Sequence, residues 1–268
     1  MKKLIALDVD GTLVNSNHVI TEKTKNTLLK CQKEGHILVI ASGRDVEGVK
    51  DLAEDLEFDT YNGLLSNYNG CRVTDFATGQ VLFNHTFKID QSNEIISFVK
   101  NLDVEIFTFK DGKVYSDYKN NKSLIDTTKR LKIGYLIDKN MRNGIDFLAN
   151  NMIIGGSKEK IDQVYPIVQK EFESKYTVVR TTANYVEFMP KGFSKGSSLL
   201  EIAKYYKIDK KNIIAFGDEE NDYSMFDIGA FSVAMGNASE KIKEKADFVT
   251  KSNDEDGIAY YLENYLLK

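Results

Sequence analysis

Three short apolar runs, LIAL at 4–7, ILVIA at 37–41 and IIAFG at 213–217, each end in polar chemistry. Asp8 and Asp10 follow the first, Ser42 and Gly43 the second, and Asp218 the third. Continuous apolar runs of this length read as strands buried on both faces, and such strands belong to parallel sheets covered by helices. A helix pattern over 22–34, opened by Thr21 and stopped by Gly35, separates the first two runs and supplies the crossover a parallel pair requires. In an open parallel sheet, ligands bind beyond the carboxyl ends of the strands. Polar residues at three such ends therefore converge on one crevice. Side chains two apart on a strand share a face, so Asp8 and Asp10 both look into it if the strand runs on through them. Singly, each residue has a plainer reading: Asp-Gly opens turns, serine caps helices, and the acids of GDEEND at 217–222 suit a helix start. Their recurrence at the same strand ends is what favours a site.

The alternation of short strands and helices occupies residues 1–82 and returns over 190–268, with a helix over 195–206 and strands at NIIAFGD, FSVAMG and ADFVT. Between them the texture changes. Residues 83–189 carry a hairpin signal in FTFKDGKVYS, turning at Asp111–Gly112, and helix patterns near 91–101, 140–149 and 158–173. The block closes with the pair YTVVRTT and NYVEFM, and its strands are richer in Tyr, Phe and Thr and look antiparallel. The expected fold is α/β: a Rossmann-like, doubly wound parallel core at 1–82 and 190–268, interrupted by an α+β cap domain at 83–189.

Composition narrows the partners. A net charge of −4 leaves no basic footprint for nucleic acid. No stretch approaches the roughly 18 apolar residues of a membrane span, and Asp8 cuts the opening apolar run too short for a signal peptide. Cys31 and Cys71 sit in neither a CxxC pair nor a metal spacing, which fits a reduced, cytoplasmic setting.

Gly192-Phe193-Ser194-Lys195-Gly196 matches a G-x-S-x-G nucleophile elbow, but that triad needs a histidine after the serine, and His18, His36 and His85 all precede it. Ser194 is then expected to cap a helix. No GxxxxGK[ST] or GxGxxG loop occurs. Carboxylates without histidine, beside a hydroxyl and a lysine, suit phosphoryl transfer through an aspartyl phosphate. An anionic nucleophile approaching an anionic group about 4 Å away is repelled by roughly 4 kcal/mol at an effective dielectric near 20. Mg²⁺ held by one or two carboxylates answers that repulsion, with Asp218 as the second carboxylate. Lys195, opening its helix, offers the remaining positive charge.

The segments DVDGT at 8–12, ASGR at 41–44, GFSKG at 192–196 and GDEENDYSMF at 217–226 resemble, in order, the four signature segments of the haloacid dehalogenase superfamily. Further stretches, SNYNGCRV at 66–73, VEFMPKGFSKG at 186–196 and VAMGNASEKIKEKADFVTKSNDEDG at 233–257, are similar to its Cof-type branch of sugar-phosphate phosphatases. The resemblance implies a Mg²⁺-dependent phosphatase of small phosphorylated metabolites, with a large cap inserted between the second and third segments. By position it makes Asp8 the nucleophile and Asp10 the acid/base. Mg²⁺ would be held by the Asp8 carboxylate, the Asp10 carbonyl and Asp218. Ser42, Gly43, Lys195 and Asn221 would hold the phosphoryl oxygens, helped by the Val9 amide, with Asp222 supporting Lys195 or the metal. Arg44 reaches the substrate or cap, or only pairs on the surface; Glu219 and Glu220 read as solvated. A phosphomutase using the same aspartyl phosphate, or a phospho-acceptor signalling or metabolite-sensing protein, would carry a related acid set. Tyr185, Glu187 and the KDG turn at 110–112 are candidates for choosing the substrate.

Overall fold

The computed structural model describes residues 1–117, 128–129 and 133–268. They form two compact units, one made of Met1–Gly43, Lys50–Phe83 and Ser194–Lys268, the other of Arg44–Val49 and Asn84–Phe193.

In the first unit lie β1 (Leu4–Leu7), β2 (Ile37–Ala41), β3 (Leu64–Asn67), β4 (Arg72–Asp75) and β5 (Val81–Asn84). Later in the chain come β12 (Ile213–Gly217), β13 (Phe231–Ala234) and β14 (Phe248–Val249), the second unit holding β6 to β11. The eight strands form one sheet in the order β14-β13-β12-β1-β2-β3-β4-β5. From β14 to β3 every pairing is parallel, and β4 runs antiparallel to β3. Every residue of β1, β2 and β12 is buried, as their unbroken apolar character requires. Leu7 is in register with both Ile40 and Phe216, so the three strands end side by side. That shared edge places Asp8, Ser42 and Asp218 together.

The helix Glu22–Lys33 starts where the Thr21 hydroxyl accepts a hydrogen bond from the Thr24 amide at 3.2 Å. It stops where Gly35 takes φ +89°. Its Thr27 hydroxyl donates to Glu263 at 2.9 Å, joining it to the helix Gly257–Tyr265. No helix among the described residues is long and apolar enough to cross a membrane.

The second unit contains β6 (Glu105–Lys110), β7 (Lys113–Ser116), β8 (Tyr135–Ile137), β9 (Met152–Gly155), β10 (Tyr176–Thr182) and β11 (Tyr185–Pro190), in sheet order β10-β11-β9-β6-β7-β8. Helices Ile89–Val99 and Lys158–Phe172 contribute Ile95, Ile96, Val99, Ile161, Val164, Val168 and Phe172 to one core. Ile106, Ile154, Val186 and Phe188 complete that core from the strands. The alternate strand residues Phe107, Val114 and Ile153, with Tyr185, form a separate cluster. Two expectations are corrected here. The 140–149 stretch is not a helix but a single turn, Met141–Asn143, because Gly144 at φ +125° breaks it and Asn93 holds both backbone groups of Ile145. The strands are not all antiparallel, since β7 and β8 pair in parallel. Arg44–Val49, which directly follows Gly43 in sequence, belongs to this second unit; within it the Asp45 carboxylate accepts the Gly48 amide at 2.9 Å.

Glu105 gives this unit a pH signature. Burial, then the neighbouring Asp117, push its carboxyl up to about 7 against the opposing pull of Arg142, and its Oε2 is buried without a hydrogen-bond partner. Below pH 4.5 the folded and unfolded chains both keep the proton. As pH rises from 4.5 through 7 the unfolded chain releases it first, so stability falls across that window and stays lower above it. Glu105→Gln removes this penalty. The variant is expected to match the wild type at pH 5 and exceed it by roughly 1 kcal/mol at pH 8, after allowance for the half-open position. Urea melts at both pH values check this; an equal gap at both would refute it.

Candidate active site

The site is built where β1 stops. After Leu7 the chain turns back on itself: Leu13 N–H donates to Asp8 C=O and Val14 N–H to Val9 C=O, each at 3.1 Å. Because of this turn the extended conformation does not continue to Asp10. The condition for both acids to project alike from one strand is therefore not met, and their settings differ: Asp8 is buried, whereas the Asp10 side chain is 44% exposed with its Oδ1 4.0 Å from His18 Nδ1. Gly11 makes the turn possible twice over. Its φ is +77°, and a β-carbon there would fall 2.2 Å from Asp218 Oδ2.

Asp8, Asp218 and Asp222 bring their carboxylates together, with one oxygen from each within 4.8 Å of the others. Lys195, the first residue of the helix Lys195–Tyr205, extends its ammonium into this cluster. Its Nζ donates to Asp8 Oδ1, and to Asp222 Oδ1 at 2.7 Å, and the residue is only 1% exposed. Ser194 caps that helix by accepting from the Ser197 amide at 3.2 Å. Burial alone would lower the lysine's pKa, but Asp222 and Asp8 more than reverse this and hold it raised, so the ammonium stays charged. The carboxylates feel the opposite pressure. Burial first, then Asp222, raise Asp8 well above the ordinary range, only partly countered by Lys195. The same two causes, in the same order, push Asp218 up to about 7.

The cluster's oxygens have different duties. Asp222 Oδ1 takes the lysine while Oδ2 accepts the amides of Asp218 at 2.9 Å and Glu219 at 3.1 Å. Its hydrogen-bonding capacity is committed to holding neighbours. Asp218 Oδ1 accepts the Thr12 hydroxyl at 2.8 Å, and Asp8 Oδ1 takes Lys195. Hard oxygen donors buried together, with Asp8 and Asp218 raised in pKa first by burial and then by Asp222, fit a small divalent cation, and these two are the pair positioned to hold it.

The other residues singled out in the sequence each have their own setting. Val9 is fully buried in the turn, and Ser42, 3% exposed, donates its amide to Ser66 C=O at 2.8 Å. Gly43 follows it directly. Asn221, half-buried, donates Nδ2 to Asn69 Oδ1 at 3.3 Å. Glu219 and Glu220 are exposed. Arg44 donates to Gly48 C=O at 3.1 Å within the second unit.

A strap of residues that motif spacing did not single out holds the Asp10 turn. Asn237 Nδ2 donates to Gly11 C=O at 2.8 Å, Asn253 Nδ2 to Val14 C=O at 2.9 Å, and the Asn253 amide to Asn237 Oδ1 at 3.0 Å. Asp254 accepts both the amide and the hydroxyl of Ser16, at 2.8 and 2.6 Å. The cluster of small polar residues at 236–254 was the available signal, but nothing local says which backbone it would meet.

Three comparisons bear on the site. A family profile described as haloacid dehalogenase-like hydrolase matches residues 5–262. A Streptococcus pyogenes protein provisionally named a phosphatase is 30% identical over 268 residues, covering 99% of this chain and 98% of its own. The Bacillus subtilis 5-amino-6-(5-phospho-D-ribitylamino)uracil phosphatase YwtE is 27% identical over 293 residues, with 98% of each chain covered. Among solved structures, a haloacid dehalogenase-like hydrolase from Bacteroides thetaiotaomicron superposes with a TM-score of 0.88 at 28% identity, covering 98% of this chain and 99% of that one.

Proposed function

Because this chain belongs to the haloacid dehalogenase-like hydrolases, we propose that it is a Mg²⁺-dependent phosphatase that hydrolyses small phosphomonoesters, sugar phosphates foremost, through an aspartyl phosphate on Asp8. The observation that carries the reading is Lys195: a fully buried ammonium joined to Asp8 and Asp222 at the edge of a parallel sheet. Burying that charge is costly unless it has anions to meet, and its two carboxylate partners leave it beside the atom that would attack phosphorus.

Asp8 carries out the attack. A carboxylate oxygen forms a bond to phosphorus as the bond to the leaving oxygen breaks, and Asp10 gives that oxygen its proton. Asp10 then takes a proton from water as the water oxygen attacks the phosphoryl group, freeing inorganic phosphate and restoring Asp8. The half-exposed Asp10 suits both duties, because it must reach a leaving alcohol and then solvent water. Asp8, Asp218 and the Asp10 carbonyl would hold Mg²⁺, which when bound supplies positive charge opposite the phosphoryl oxygens. Ser42, the Gly43 and Val9 amides, Asn221 and Lys195 hold those oxygens, and Asp222 keeps Lys195 charged and aimed. Thr12 and Gly11 fix Asp218, one by a hydrogen bond and the other by leaving it room.

The substrate class draws on the relatives. YwtE is named for a phosphorylated ribityl compound, and a structure titled as a sugar phosphatase shares the fold. The net charge of −4 does not favour a polyanionic substrate. Phosphate release from sugar phosphates, nucleotides, a phosphoserine peptide and a 5′-phosphorylated oligonucleotide, measured side by side, tests this. The sugar phosphates should give the highest kcat/KM, and a peptide or oligonucleotide matching them would refute the substrate assignment. Exhaustive chelation should abolish turnover, Mg²⁺ should restore it, and Ca²⁺ should inhibit because its looser oxygen shell disturbs the in-line arrangement. Full activity after chelation would overturn the metal assignment.

A further inference from the structure

The turn that follows β3, residues 67–71, has no role in the mechanism above, yet its backbone takes three positive φ values in a row. Tyr68, Asn69 and Gly70 take φ of +52°, +52° and +94° in succession. A left-handed tyrosine followed by a left-handed asparagine is costly and persists only where the surroundings impose it. Three contacts impose it here. The Asn69 amide donates to Ser42 C=O at 2.9 Å, and Asn69 Oδ1 accepts Asn221 Nδ2 at 3.3 Å. Gly70 is wedged against the start of the Lys195 helix, where a β-carbon would fall 2.1 Å from Ser194 O and 3.0 Å from Lys195 N. One buried turn thus touches the backbone or side chains of three of the four segments that carry the phosphate-holding groups, those of Ser42, Asn221 and Lys195.

Resting on the phosphatase reading, we propose that the Asn69 side chain is a positioning group of the phosphate site acting through Asn221, while its backbone amide fixes the Ser42–Gly43 peptide beside it. Ser42 C=O and Gly43 N–H belong to the same planar trans peptide and point in opposite directions. By donating to that carbonyl, the Asn69 amide turns the Gly43 N–H away from itself and polarises it as a donor. On the other side, the Asn69 carboxamide oxygen engages one hydrogen of the Asn221 amide, and the second is left for a phosphoryl oxygen. Asparagine suits the position because it tolerates left-handed backbone better than other residues with side chains while offering a carbonyl acceptor.

Asn69→Gly separates positioning from mere folding, because glycine adopts this φ without strain and removes only the side chain. The variant should melt close to the wild-type temperature. Calorimetric titration of the Mg²⁺-loaded protein with inorganic phosphate should show its Kd rising about 5- to 10-fold, on the scale of one hydrogen bond. KM for a sugar phosphate should rise alongside, with kcat changed less. In an Asn221→Ala background the same substitution should cost little further affinity, since its partner is already gone. Wild-type affinity in Asn69→Gly, or losses that simply add in the double variant, would overturn the proposal even if Asn69→Gly proved unstable. A wild-type protein that binds no phosphate would instead sink the phosphatase reading on which it rests.

Discussion

Asp8→Asn is expected to fold, to melt at or above the wild-type temperature at pH 8 without Mg²⁺, and to turn over no phosphomonoester. The stability half follows from electrostatics. Burial and Asp222 raise the Asp8 pKa, so its ionised form is disfavoured in the folded protein. An amide relieves that cost, and Lys195 keeps Asp222 as its partner. The activity half follows from chemistry, since an amide does not displace an alkoxide from phosphorus. The loss should be roughly 10⁴-fold or more, the scale seen when a nucleophile is removed, and no phosphate should be trapped on the protein. Asp10→Asn should behave differently: turnover falls by roughly 10² to 10⁴, the usual worth of general acid/base help, while phosphate can still be trapped on Asp8. The fall should be steeper for a sugar phosphate than for an aryl phosphate, whose leaving group needs no proton. Near-normal activity in Asp8→Asn would end the mechanism.

Lys195→Met is the second large effect, and it combines stability with function. The ammonium's side chain is fully buried and it is the cation bonded to both Asp8 and Asp222. Methionine fills much of the space but leaves two buried carboxylates without it, a loss of roughly 3–5 kcal/mol in settings of this kind. Lowering the pH should return part of that stability, because protonation removes the unpaired charge. Phosphate binding should disappear at every pH. Chemical denaturation at pH 5 and 8, with phosphate titration at each, tests both statements; an unchanged midpoint at pH 8 would show that the buried triad is not held by charge.

How far these residues could be read from the chain depended on how local their cause was. The apolar runs that became β1, β2 and β12 and the Thr21 cap were legible because burial on two faces and capping act within a few residues. Helix at 140–149 was misread because the apolar spacing there is helical, while the deciding contact, Asn93 on Ile145, comes from another helix. The acid cluster was legible as a set of strand ends but not in its division of labour. That Asp222 spends its oxygens on two amides and on Lys195 depends on a lysine 27 residues away, and the 44% exposure of the Asp10 side chain accompanies the turn after β1. The asparagines at 69, 237 and 253 each act on backbone far away in the chain, and no spacing rule encodes that.

The position of β1 between β2 and β12 has a consequence for biogenesis. Asp8 and Thr12 leave the ribosome well before Asp218, since Thr12 and its partner Asp218 are 206 residues apart, as remote in time as in sequence. At about 5–20 residues per second, the nascent β1 waits ten seconds or more with one flank of its backbone unpaired. During that wait an apolar strand with an open edge is a template for pairing with other chains. Asp8, Asp10 and the glycine turn directly after it give that segment charge and a break in pairing, the features that flank apolar strands where aggregation is held down.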